Sequence, residues 1–136
     1  VASLWYDATI TGAADSICTL LDGGFLEIWS GSQPALNGGL TGTKLAKLAL
    51  GNPFETSNAA SGGVVTVIAT AITASSALVS GTAGYFALLK SDDATVVATG
   101  TVGLSGADLS FSSLSIISGA VVSCSSLTIT VAETGT

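Results

Sequence analysis

Short runs of β-branched and aliphatic residues, interleaved with Ser and Thr and broken by Gly, fill most of this chain beyond residue 50. The clearest covers 120–131. There Val121, Ser123, Ser125, Leu127, Ile129 and Val131 alternate with Val122, Cys124, Ser126, Thr128 and Thr130. A period of two sends successive side chains to opposite sides of a strand, so the run predicts one apolar and one hydroxyl-bearing face. Several short strands at such spacing, after a single helix, predict a mainly β chain. The expected form is an antiparallel β-sandwich or jelly-roll-like barrel with one short N-terminal helix.

Composition agrees with that pattern. Ser and Thr supply 36 of the 136 residues, and only 9% are charged, against about 25% in ordinary soluble proteins. The mean hydropathy of +0.71 resembles that of a membrane protein. However, the longest apolar-looking stretch, 64–72 (VVTVIATAI), is nine residues and includes Thr66 and Thr70. A spanning helix needs about 20. With 6% aromatic residues, the chain also lacks the girdles of an outer-membrane barrel. A chain so poor in charge is expected to cover surface against neighbouring subunits.

Lys44, Lys47 and Lys90 face nine carboxylates, for a net charge of −6 and a pI near 4.1. Three scattered lysines make no basic stripe, which argues against nucleic acid and anionic membrane as partners. His, Met and Arg are absent, which removes His triads, His-ligated metals and guanidinium forks for phosphate. No cofactor is expected. Cys18 and Cys124 are expected as two buried thiols, although one disulfide between them is open on geometry. Two Cys without His do not make a zinc site. The start, VASLWYD, has no basic region and no long apolar run, so no secretory signal is expected there.

The chain reads as a single domain, 1–136, with an arm and short helix over 1–24, a β-sandwich over 25–131 and a loose tail over 132–136. Asp7 is placed to cap a helix whose apolar positions are Ile10, Ala13, Ala14, Ile17, Leu20 and Leu21, and Gly23-Gly24 stand at its end. Residues 25–30 (FLEIWS) predict a strand with Phe25, Glu27 and Trp29 on one face and Leu26 and Ile28 on the other. Residues 31–43 form a long Gly-rich loop, and 44–50 (KLAKLAL) a strand. Gly51-Asn52-Pro53 and 58–63 (NAASGG) are turn formers on either side of Phe54, and 63–73 is β-branched throughout. Segments 84–90 and 94–102 make a hairpin about Asp92-Asp93. A loop at 103–108 then leads to strands at 109–111 and 114–117, a turn at Ser118-Gly119 and the last strand.

Candidate chemistry is sparse. Asp92-Asp93 reads as a hairpin turn, since adjacent carboxylates point apart and calcium needs several spaced oxygens. Asp108, in GLSGADLS, has no second acid placed beside it for glycoside chemistry. Glu27 among aromatics has the makings of a general acid with a raised pKa. The plainer reading is an exposed strand residue or a partner of Lys44 or Lys47. No Ser has an activating base, and GGLTGTK (38–44) misses the spacing of a phosphate loop. The aromatics Trp5, Tyr6, Phe25 and Trp29 gather in the first thirty residues. They either anchor a protein interface or pack the helix on the sheet.

Taken in order, GGFLEIWSGSQPA, LAKLAL, NAASGGVVTV, SGTAGYFALLKSDDATVVATGTVG and SGADLSFSSLSIISGAVVSCSSLTIT resemble the small structural proteins of tailed bacteriophages encoded near the major capsid protein. The matching pieces are L-x-I-W-x-G, A-S-G-G-V-V-T and G-T-V-G-x-S-G-A-D-L. This chain departs from the commoner pattern by lacking Arg in the helix and carrying two Cys. The resemblance implies a virion component without enzymatic activity, a decoration or cement protein made in the bacterial host cytoplasm and bound outside the capsid. The expected partners are the major capsid protein and further copies of the chain, with a trimer favoured. The alternatives are a tail, neck or fibre component, or a carbohydrate-binding adhesin-type sandwich using Trp29, Trp5 or Tyr6. An enzyme built on Glu27, Glu55 or Asp108 ranks last.

Overall fold

Residues 4–124 and 127–132 are described by the computed structural model. The first element is a helix, α1 (Asp7–Leu21), longer than the sequence suggests because Thr9, Thr11 and Gly12 are carried within it. Asp7 does not cap it. Tyr6 occupies the cap position in extended backbone with no side-chain hydrogen bond, and the Asp7 carboxylate instead accepts the Gly63 N–H at 2.7 Å. A turn from the sheet supplies Asp7 with a donor outside its own helix. The buried stripe is Ile10, Ala14, Cys18 and Leu21, with Ile17 half-buried. Ala13 and Leu20 face solvent, because a 100° step per residue carries them off the stripe that Cys18 completes. Gly23 ends the helix at φ 66°, the left-handed conformation that glycine adopts without a Cβ clash.

The chain is mainly β, 42% strand and 12% helix, with one sheet curled into a half-barrel. The first strands are β1 (Phe25–Trp29), β2 (Lys44–Ala49), β3 (Glu55–Ser61) and β4 (Val64–Ala69). They are followed by β5 (Ser75–Ser76), β6 (Gly81–Thr82), β7 (Tyr85–Leu89) and β8 (Val96–Gly103). The last are β9 (Leu109–Ser110), β10 (Ser115–Ile116), β11 (Val121–Val122) and β12 (Thr128–Ala132). The larger sheet has the order β2-β1-β7-β8-β9 and a second has the order β12-β4-β3, while β10-β6 and β11-β5 are short pairs. All pairings are antiparallel except β8 with β9.

Four further expectations change. The NAAS segment is not a turn but most of β3, paired with β4 through Gly62 and Gly63 at φ 60° and 81°. Such positive values are what a tight hairpin turn requires. The run over 63–73 ends as a strand at Ala69. The expected single strand over 120–131 is two strands in different sheets, Val121–Val122 on β5 and Thr128–Ala132 on β4. The buried series changes phase at the break: Val122 and Cys124 are buried before it and Leu127 after it, a step of three that period-two alternation does not allow. The expected loose tail begins inside β12 at Ala132, and residues 133–136 lie outside the described residues.

One hydrophobic cluster joins the elements. It takes Leu26 and Ile28 from β1, Ala46 and Leu48 from β2, and Phe86 and Leu88 from β7. Val65 and Val67 come from β4, and the helix stripe completes it. The helix packs chiefly on β3 and β4, and less on β12 and β8.

Candidate functional site

The other side of the larger sheet holds the charged and aromatic residues. Glu27 lies opposite Lys47 on β2 and Ala87 on β7, and Trp29 lies opposite Tyr85. A bulge between Ile28 and Trp29 brings Lys44 opposite Trp29. The 31–43 loop covers this face, with the Tyr85 hydroxyl donating to Thr41 O at 2.6 Å and accepting from Thr41 N–H at 3.0 Å. Glu27 is 1% exposed, enclosed by Lys44, Trp29 and Asp93. The expectation of an exposed strand residue fails for this reason, while the expected partnership with Lys44 holds at 2.9 Å.

Glu27 Oε1 also accepts the Trp29 Nε1–H at 3.2 Å. Lys47 Nζ donates to Asp93 Oδ2 at 2.8 Å and sits 4.4 Å from the centre of the Phe25 ring. The Trp29 and Tyr85 rings stack with centroids 6.4 Å apart. Glu27 Oε2 is the oxygen that Lys44 Nζ approaches, and Asp93 Oδ1 is buried with no donor aligned on it. Burial pushes Glu27 above the ordinary glutamate value, the Asp93 carboxyl adds to the push, and Lys44 opposes it. Asp93 is held below its ordinary value, first by its hydrogen bond with Glu27 and also by Lys47. The contact between the two carboxyl groups thus moves them in opposite directions, Glu27 up and Asp93 down, with Lys44 and Lys47 each favouring the charged form of its partner.

The remaining acids are tied to backbone. Asp92 accepts from the Ala94 and Thr95 N–H groups and the Thr95 hydroxyl, bonds that hold it down at about 2, the hydroxyl contributing most. Asp92 and Asp93 therefore point apart, one to its own turn and the other to the lysine and glutamate. Asp108 accepts the Thr101 N–H and hydroxyl, joining the start of β9 to β8. Glu55 accepts from Asn58 at 2.9 Å. Glu27, Glu55 and Asp108 thus sit on separate features, Glu27 on the covered sheet face, Glu55 beside the helix and Asp108 at the β8–β9 junction. Cys18 and Cys124 are both buried thiols. Burial, followed by the Glu55 carboxylate, pushes Cys18 up to about 12.

The four aromatics do not form one cluster. Phe25 and Trp29 are half-buried in the charged face, with Lys44 Nζ 5.8 Å from the Trp29 ring centre. Trp5 and Tyr6 stand ahead of α1 at 59% and 81% exposure, beside Leu4 at 77%.

Two exposed surfaces escaped the reading of motifs. Ser57, Ala59 and Ser61 on β3, Val64, Thr66 and Ile68 on β4, and Thr128, Thr130 and Ala132 on β12 form three cross-strand rows. All nine are exposed and none is charged. Elsewhere Leu78, Val79, Ile117 and Val121 are exposed on two turns and the start of β11, the turns bonded together, with Ala77 N–H donating to Ala120 O and Gly119 N–H to Ala77 O. A signal for both was present in the sequence, since 56–89 and 109–132 contain no charged residue.

Searches of family models, curated proteins and solved structures give no match for this chain.

Proposed function

We propose that this chain is a structural protein of a tailed-phage virion without enzymatic activity. In this reading it is a decoration or cement protein that binds the major capsid protein on the outside of the head and stabilises it. The observation that carries the reading is the uncharged nine-residue face of the β12-β4-β3 sheet. Solvent-exposed sheets normally carry charges, and apolar patches left open at the surface mark protein contacts. Val64, Ile68 and the threonines around them offer a flat, neutral surface suited to another protein. The turn cluster at Leu78, Val79, Ile117 and Val121 adds a second such surface. Two faces on one small protein fit a lattice component that touches more than one neighbour, where repeated weak contacts add through effective concentration. The half-barrel and the three-stranded sheet fit two layers of a β-sandwich, and a trimer is the favoured assembly.

Co-sedimentation of purified protein with heads that lack it tests the reading. Saturation at a fixed number of copies per capsid subunit is the expected result. No binding to any head form would sink it in favour of a tail, neck or fibre component. The exposed Trp5 favours a glycan-stacking adhesin as the second reading. Quenching of Trp fluorescence by oligosaccharides would support that alternative.

A further inference from the structure

A groove of about 630 Å³ opens between the two sheets. Its floor is apolar, made by Ile17 and Leu21 of α1 and Phe86 and Leu88 of β7, and its walls are 97–100 of β8 and 128–132 of β12. Consecutive residues of both strands line it, so the groove looks onto strand edges as well as side-chain faces. Those edges have no strand partner among the described residues. β12 pairs with β4 alone, and β8 meets β9 only at Val102 and Gly103. Free edges invite the addition of an extended segment.

The chain carries a matching segment. Leu4, Trp5 and Tyr6 are exposed, and Tyr6 is extended at φ −71° and ψ 153°. No side chain in 1–6 is charged. Asp108, the charged residue lining the groove, has its carboxylate engaged by Thr101. An uncharged segment is therefore matched to a groove that is apolar at its floor and carries one engaged carboxylate at its side. The Leu21 end of the groove floor is beyond reach of the segment on the same molecule. Ile17 and Leu21 lie ten and fourteen residues along the helix from Asp7, about 15 and 21 Å at 1.5 Å per residue, whereas three extended residues span about 11 Å at most.

We infer that the groove is the seat of residues 4–6 from a second copy of the chain, which enter as an added strand with Trp5 on the floor formed by Ile17, Leu21, Phe86 and Leu88. The contact is arm-to-groove, so it closes either by reciprocal exchange in a pair or head-to-tail in a ring. The inference is independent of the virion reading and needs only the purified chain.

Sedimentation velocity over a concentration series tests it with two variants. Trp5→Ser combined with Tyr6→Ser removes the anchor, and Ala98→Arg charges an exposed position in the groove wall. Circular dichroism checks that each retains the fold. The wild type is expected to associate, and each variant alone to sediment as a monomer. An equimolar mixture of the two is expected to recover one-to-one pairs, because one partner keeps its groove and the other its arm. A wild type that stays monomeric, a variant that associates as the wild type does, or a mixture without pairs would each overturn the inference.

Discussion

At the scale of single residues the chain concentrates its ionic chemistry at Glu27. A buried carboxyl group with a raised pKa holds a proton that the unfolded chain has already released. Below the ordinary glutamate value of 4.5 both states are protonated and the contribution is fully present. As pH rises through the raised value the folded state must give the proton up, and stability falls. Asp93 works in the opposite sense, since its lowered pKa contributes stability that is lost as pH falls through it. Urea unfolding across pH should therefore show a decline above the ordinary glutamate range. Glu27→Gln, which keeps an N–H to offer Asp93, should flatten that decline. An unchanged slope in the variant would place the titration elsewhere. Cys18 offers a second check. With its thiol at about 12 and its surface buried, it should resist alkylation at neutral pH in the native chain and react once the chain is unfolded. Mass mapping of the labelled peptide reads this directly. Rapid native labelling would mean that α1 opens readily.

At the scale of elements the helix provides the sharpest test, because spacing alone assigned Ala13 and Ala14 to the same buried stripe. In the structure Ala14 is fully buried and Ala13 is exposed. Ala14→Leu should overpack the contact with the sheets and cost about 1–3 kcal/mol. Ala13→Leu should stay within about 0.5 kcal/mol, as surface changes do. Chemical denaturation of the two variants compares them, and equal costs would contradict the stripe through Cys18. Much of the element order was legible in residues: the helix ahead of Gly23, β1 in FLEIWS, β2 in KLAKLA and the β7–β8 hairpin about Asp92-Asp93. Glu55–Ser61 was not, because Asn, Ala and Ser have weak strand preference by themselves. That segment is a strand because Gly62 and Gly63 fold it back onto Val64–Ala69, a partner with strong preference.

At the scale of the whole molecule the charges are sorted by region. Lys44, Lys47, Glu27 and Asp93 share one face of the half-barrel, Asp7, Asp15 and Glu55 lie on or beside the helix, and the outer face of the β12-β4-β3 sheet carries none. Asp15 and Glu55 share a partner there, Asn58, whose amide donates to both. If the neutral sheet face makes the proposed contact, head binding should change little between about 0.05 and 0.5 M salt, because screening acts on exposed charges. Co-sedimentation at the two ionic strengths measures this. A steep loss of binding with salt would point to the acidic helix side as the contact.

Sequence alone determined the β-rich class, the single leading helix and the scarcity of reactive groups, because period, glycine breaks and missing residue types are local properties. It also marked Trp5, Tyr6, Phe25 and Trp29 as the aromatics to watch. Only the tertiary structure separated them into an exposed arm and a covered charged face, buried Glu27 against Asp93, and divided the last run between two sheets. Those outcomes depend on which strands become neighbours. Pairing between residues far apart in the chain is set by how the whole core closes, and no local pattern carries that information.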